Sequence, residues 1–251
     1  MQKDDANIAE IFSSIQGEGL TCGERQIFVR FAGCNLRCDY CDTPDALERQ
    51  ESCAVGQRNG RGILRRRPNP VAADELIRIV KTLNAPPGLH HSISLTGGEP
   101  LLQAGFLCKF LPANKTNRIR HHLETNGILP EQLESVIDFI DIISADIKIE
   151  SSTGEPPQYE KNRRFLEVAF RKPTWVKVVV ADKTTPAEID EVAQIVASVS
   201  PAIPMIIQPV TPRGGAESAS ANVLLSLHET AKAHLSSVRV IPQIHKTLNL
   251  R

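Results

Sequence analysis

Ile93-Ser94-Leu95-Thr96-Gly97-Gly98-Glu99-Pro100 reads as a short apolar strand that stops on a polar, glycine-rich turn. Its reading decides the fold, because the same pattern repeats on both sides of it. Downstream, a helix over about 103–111 leads to a strand from Ile119 to Leu123, which ends in Glu124-Thr125-Asn126-Gly127. Leu133, Val136, Ile137 and Ile140 mark a helical face, and Ile142-Ile143-Ser144-Ala145-Asp146 is the next strand. A helix near 159–170, the strand Val176-Lys177-Val178-Val179-Val180 and the stripe Ile189, Val192, Ala193, Val196 and Val199 continue the series. Strand Met205-Ile206-Ile207-Gln208, a helix near 220–234 and strand Val238-Arg239-Val240-Ile241 complete it. Upstream, Asn69 is placed to cap a helix with Pro70 at its first position and Ala72, Leu76, Ile79, Val80 and Leu83 on one face.

Strands alternating with helices imply right-handed βαβ units, a parallel sheet and an α/β fold. The polar signals fall at strand C-terminal ends: Thr96 to Glu99, Glu124 to Asn126, Ser144 to Lys148, Gln208 to Thr211 and Gln243 to His245. In a closed or partial β/α barrel those ends form a single mouth. A doubly wound sheet would place its ligand at a switch point instead, and no Gly-x-Gly-x-x-Gly or Walker pattern follows the first strand.

One strand-like run, Ile27-Phe28-Val29-Arg30-Phe31, delivers Cys34-Asn35-Leu36-Arg37-Cys38-Asp39-Tyr40-Cys41. Three thiolates at C-x-x-x-C-x-x-C spacing can hold three irons of a 4Fe–4S cluster, which usually takes four cysteines. The iron left open suits S-adenosylmethionine radical chemistry, in which that iron grips the cofactor and the cluster delivers one electron. The competing reading is a zinc-stabilised binding module. Such sites favour paired C-x-x-C units with a fourth Cys or His, and His90, His91, His121 and His122 stand at no zinc-ribbon offset.

The 251 residues suffice for one large domain, read as 1–251 with an exposed, partly mobile polar insertion at about 48–69. Charges balance at 29 basic and 29 acidic, so no global field calls for nucleic acid or membrane. The run from Arg61 to Arg67 reads as a solvated loop. The opening Met1-Gln2-Lys3-Asp4-Asp5 lacks a signal-peptide pattern and no apolar run reaches spanning length, so a cytoplasmic location is expected. Cysteines in that compartment serve metals or catalysis before disulfides. Cys108 reads as a small buried hydrophobe and Cys53 as a free thiol in the insertion. Residues 6–20, ending in Gln16-Gly17-Glu18-Gly19, read as a loop entering the site.

The triad followed by Gly97-Gly98-Glu99-Pro100 resembles the radical S-adenosylmethionine superfamily, whose short forms include activases of glycyl radical enzymes. Consecutive glycines at a strand end let a backbone approach a ligand closely. Further segments resemble the 7-carboxy-7-deazaguanine synthase family nearly end to end. They are Glu10-Ile11-Phe12-Ser13-Ser14-Ile15-Gln16-Gly17-Glu18-Gly19, Phe28 to Cys38, Cys41-Asp42-Thr43, Leu123 to Gly127 and Pro242-Gln243-Ile244-His245-Lys246. The resemblance implies a modified, incomplete β/α (TIM-like) barrel that dimerises. It also implies a 4Fe–4S cluster, S-adenosylmethionine, Mg²⁺ and a reductant such as flavodoxin or ferredoxin. The implied reaction converts 6-carboxytetrahydropterin to 7-carboxy-7-deazaguanine with loss of ammonia, on the route to queuosine and related deazapurines.

Carried over, Cys34, Cys38 and Cys41 would ligate the cluster and Thr43 the Mg²⁺, although Asp42 is the stronger ligand on charge. Ile15, Gln16, Gly17 and Glu18 would meet the pterin, with an amide and a carboxylate matching its guanine-like edge. Arg30 faces away from Val29 and Phe31 and would pair with the substrate carboxylate. Thr96 would touch substrate, and His245 would close over the pterin. Gly98 would contact S-adenosylmethionine, and Ser144, Asp146 and Lys148 would follow its ribose or carboxylate. Many members have Ser-Pro-Lys where this chain reads Ser144-Ala145-Asp146-Ile147-Lys148. Gln208, Pro209, Val210 and Thr211 would border the adenosine.

Overall fold

The structure, a computed structural model, describes residues 5–57, 62–212 and 217–250. In chain order its elements are β1 (Asp5–Ala6), β2 (Ile8–Ile15), β3 (Arg25–Phe31), β4 (Ser52–Gly56), β5 (Ile63–Pro68), β6 (Val71–Ala72) and α1 (Ala73–Leu83). They continue with β7 (Ser92–Gly97), α2 (Ala104–Asn114), β8 (Arg120–Thr125), α3 (Pro130–Val136), β9 (Ile142–Asp146), α4 (Glu150–Thr153) and α5 (Tyr159–Ala169). The last are β10 (Thr174–Val180), α6 (Pro186–Val199), β11 (Met205–Pro209), α7 (Ala221–Lys232), β12 (Val238–Val240) and α8 (Ile244–Thr247).

Ten strands form one sheet in the order β12-β11-β10-β9-β8-β7-β3-β2-β4-β5. From β3 to β12 every neighbouring pair is parallel, whereas β2 runs antiparallel to β3. The two edges, β12 and β5, do not pair, so the sheet is an open, incomplete barrel. Period-2 alternation divides its residues between two surroundings. On β10, Val176, Val178 and Val180 join the main core beneath the helices. Trp175 and Lys177 face the other way, into the barrel, where Trp175 meets His122 at 5.1 Å between ring centroids. On β8, His121 faces the helices, where Asn114 of α2 holds Nε2 at 2.9 Å. Strand ends on the cysteine side of this sheet therefore carry polar groups inward while the helix side stays apolar.

Several local expectations are corrected. Residues 8–15 are a strand, not loop, and their apolar positions Ile8, Ile11 and Phe12 are buried. Asn69 does not cap α1, whose cap position is Ala72. Its side chain instead serves the Ile8 peptide, accepting from the nitrogen at 3.1 Å and donating to the oxygen at 2.9 Å, and also donates to Gln50 O at 3.0 Å. The stretch 48–69 is not simply an exposed insertion: β4 and β5 pair within it and extend the sheet beside β2. Cys53 on β4 is fully buried, where burial pushes its thiol up to about 12. The arginine run ends on edge strand β5, while residues 58–61, including Arg61, lie outside the described residues. Cys108 is exposed on α2 rather than buried, because Leu107 and Leu111 take the inward positions of that helix.

Candidate active site

The cysteine loop leaves the end of β3 and is clamped by backbone bonds on both flanks. Gly33 N donates to Ala46 O at 2.8 Å, Asp39 N to Thr153 O at 2.9 Å, and Glu99 N to Gly33 O at 2.8 Å. Asn126 Nδ2 reaches Asn35 Oδ1 at 2.8 Å. Gly98 lies so close beneath this loop that a Cβ would come within 2.1 Å of Gly33 O and 2.9 Å of Ala46 O. Its lack of a side chain thus serves backbone-to-backbone packing under the cysteines, besides placing it on the cavity wall. Glu99 is wholly buried and accepts from Leu101 N (3.0 Å), Thr125 Oγ1 (2.9 Å) and Asn126 N (2.9 Å). Burial nonetheless raises it to about 7. Its work is to join two strand-end turns.

A cavity of about 320 Å³ opens at this end of the sheet. Every residue proposed for the site from sequence lines it except Pro209. The strand period explains the exception: Pro209 is paired between Gln208 and Val210, and only its neighbours face the cavity. The structure brings Cys34, Cys38 and Cys41 together on this one wall, and no other cysteine reaches it. Burial raises the Cys34 thiol and pushes Cys38 up to about 11, so loading with metal must displace protons. Thr43 Oγ1 is 3.9 Å from Cys41 Sγ.

Beside Asp42, the residue after Cys41, segments 15–18 and 243–246 build one wall of the cavity. Ile244 N donates to Gly17 O at 3.0 Å, and a Cβ on Gly17 would overlap His245. Gln16 is buried on the cavity wall, and its amide is held by protein partners. Nε2 donates to Glu124 Oε1 at 2.8 Å and Gln26 Oε1 at 3.2 Å, and Oε1 accepts from Glu18 N at 3.1 Å. Glu124, absent from the sequence-derived site, also accepts from Ser94 Oγ and from Thr96 Oγ1 at 3.4 Å. Burial, reinforced by the Glu18 charge, raises its carboxyl. The Arg30 guanidinium is held through Nε by Glu10 at 2.8 Å and lies over the Phe12 ring at 5.9 Å.

Glu18 accepts from Lys177 Nζ and, at 2.7 Å, from Gln243 Nε2. Burial alone would raise this carboxyl, but Lys177 and the bond from Gln243 hold it down to about 2. Gln243 accepts in turn from Thr211 Oγ1 at 2.6 Å. Ligand atoms of Glu18, Asp42 and His245 all lie within 4.8 Å of one another. Lys177 is likewise missed by sequence reasoning, although a lone charge at an inward position of an apolar strand was a visible signal.

Two buried acceptors of cavity-lining residues, Asp146 Oδ1 and Gln208 Oε1, have no partner among the described residues. They require donors, and ribose hydroxyls and an ammonium group are donors. Three soft thiolate ligands on one loop suit iron–sulfur ligation. The residues present therefore fit a 4Fe–4S cluster with S-adenosylmethionine beside it.

The model of the Radical SAM superfamily matches residues 28–196. A 7-carboxy-7-deazaguanine synthase of Geobacter sulfurreducens is 42% identical over 98% of both chains. The chain belongs to the 7-carboxy-7-deazaguanine synthase family of radical S-adenosylmethionine enzymes. A synthase of the same name from Methanothermobacter thermautotrophicus is 37% identical, again over 98% of both chains. Among solved structures, QueE from Escherichia coli superposes with a TM-score of 0.62 at 18% identity, covering 95% of this chain and 94% of that one, which speaks for the fold. The family implies the 4Fe–4S cluster and S-adenosylmethionine, and full-length relatives of one name set this synthase family apart from activases and zinc modules.

Proposed function

We infer that the protein converts 6-carboxy-5,6,7,8-tetrahydropterin to 7-carboxy-7-deazaguanine with loss of ammonia. The observation that carries the reading is the end-to-end match to the Geobacter synthase. The cavity walls support it. When bound, the cluster and S-adenosylmethionine supply one-electron chemistry that removes a hydrogen atom from the pterin.

The chain's own residues hold and shield the substrate. Cys34, Cys38 and Cys41 ligate iron and leave one coordination position for the cofactor. Gly98, Ser144, Asp146, Lys148, Gln208, Val210 and Thr211 line the cofactor's side of the cavity, with Pro209 behind them. Asp146 Oδ1 and Gln208 Oε1 supply the acceptors its hydroxyls and ammonium need. Residues 15–18, Thr96 and His245 wall the pterin, with the carboxylates of Glu18 and Glu124 accepting from its N–H edge. Arg30 meets the substrate carboxylate with its planar fork. Mg²⁺ would bind near Thr43, with the substrate carboxylate and water completing its oxygen shell. Asp42 stands one residue away, nearer the convergence of Glu18 and His245. A flavodoxin or ferredoxin supplies the electron, and the working unit is a cytoplasmic homodimer. Among the described residues no helix is long and apolar enough to cross a membrane.

The test is anaerobic turnover of the reconstituted protein with the pterin, S-adenosylmethionine, Mg²⁺ and a reductant. The expected products are 7-carboxy-7-deazaguanine and ammonia. Their absence from protein with an intact cluster overturns the reading.

A further inference from the structure

Lys177 is the cavity's least accounted-for residue. A lysine inside a barrel is costly unless its charge is matched, and here two carboxylates match it. Glu18 is one, and Asp146 the other, with Oδ2 at 3.1 Å. The same Asp146 oxygen is 2.9 Å from Lys148 Nζ, which donates to Tyr40 Oη at 2.8 Å. Tyr40 stands between Cys38 and Cys41. A line of alternating charge therefore runs from the substrate wall at Glu18, through Lys177, Asp146 and Lys148, to the cysteine loop. The line has a return branch, because Gln243 bonds Glu18 at 2.7 Å and Asp42 at 3.3 Å.

We propose that Lys177 is a positioning residue that couples the two ligands of the cavity, pterin and S-adenosylmethionine. This rests on the functional reading above. Glu18 divides its acceptor capacity between Lys177 and the substrate edge. When the pterin's N–H groups engage Glu18, Lys177 is held more by Asp146. That fixes Asp146 through Oδ2 and so fixes the position of Oδ1, which has no partner among the described residues and would accept from the cofactor. An acceptor ordered beforehand binds its donor at lower entropic cost. Each ligand should thus tighten the other, by the same factor in both directions. Asp146, in Ser144-Ala145-Asp146-Ile147-Lys148, gives the line its central carboxylate.

The experiment measures the dissociation constant of S-adenosylmethionine on reconstituted, cluster-loaded protein. It does so with and without 6-carboxytetrahydropterin, by equilibrium dialysis without reductant so that no turnover occurs. Wild type should bind S-adenosylmethionine about tenfold more tightly with the pterin present. Lys177→Met should bring that ratio close to one while altering pterin-free binding less. Lys177→Gln removes the charge and is too short to reach both carboxylates at once, so it should also lower the ratio, and it serves if the methionine variant fails to load its cluster. Lys177→Arg should restore most of the ratio. A Lys177→Met or Lys177→Gln protein that keeps the wild-type ratio overturns the inference, as does equal weakening with and without pterin. If wild type converts the pterin while the ratio ignores Lys177, only this inference falls. If wild type neither binds nor converts the pterin, the functional reading falls and takes this one with it.

Discussion

At the scale of residues, two glycines of the site motifs act through different neighbours. Gly98 makes room for the cysteine loop, whereas Gly17 makes room for His245. Gly17 does not have a positive φ, so the requirement there is space alone. Gly17→Ala should displace α8 from the substrate wall without disturbing the core. The expected result is at least a tenfold loss in kcat/KM, with iron content unchanged and stability altered by less than about 1 kcal/mol. Steady-state kinetics beside iron analysis and thermal melts checks it. Gln16 was visible in the sequence as a site residue, but its use was not. Nothing local shows that Glu124, over a hundred positions away, takes its amide. Glu124 and Lys177 each gave a visible signal, a strand-end charge and a lone charge in an apolar strand. What the sequence did not show was their partners, since Glu124 accepts from Gln16 and Lys177 donates to Glu18 across the sheet.

Among the elements, the alternation from β7 to β12 was legible because buried parallel strands read as compact apolar runs between amphipathic helices. The segment 48–69 was not. β4 is five residues, Ser52-Cys53-Ala54-Val55-Gly56, too short and small-sided to announce itself. β5 carries Arg65, Arg66 and Arg67 because an unpaired sheet edge is protected by charge. Asn69 misled for a similar reason: an Asn before a helix is a good cap candidate, yet here it bonds the Ile8 peptide and Gln50 O from the far side of β4 and β5. Asn69→Ala should therefore cost more than a cap. Losing three bonds and stranding the Ile8 N–H predicts a destabilisation of roughly 2–3 kcal/mol in chemical denaturation. A helix-cap role would cost about 1 kcal/mol.

For the molecule as a whole, the ring of polar strand ends announced a single mouth. The degree of closure was not legible, because it depends on which strands stand at the edges. The buried titratable groups set a pH dependence whose sign can be worked out. Burial lowers His90 to about 4 and His122 to about 3, so both stay neutral in the fold while the unfolded chain protonates them near 6.5. Their contribution is present above that value and is lost on acidification. Glu18, held to about 2, adds a loss below its unfolded value of 4.5. Glu99 works oppositely: raised to about 7, it favours the fold below 4.5 and loses that contribution as pH rises through 7. His121 and His245 are lowered too and Glu124 is raised, so four histidines against two glutamates still favour net proton uptake on unfolding below pH 6.5. Stability should then peak near pH 6.5 and fall on acidification, more steeply under 4.5. Denaturant titrations at stepped pH measure this.

The substrate wall joins Gly17 and Glu18 to Gln243, Ile244 and His245, and the Glu18–Gln243 bond spans 225 positions. The ribosome makes these two pieces at nearly opposite times. A chain made only as far as Ile241 already holds every strand of the open sheet and all three cysteines. On the proposed reading it still lacks the wall that receives the pterin. Chains cut short by premature termination there should therefore take up iron on reconstitution yet fail to bind the pterin, which iron analysis beside equilibrium dialysis checks.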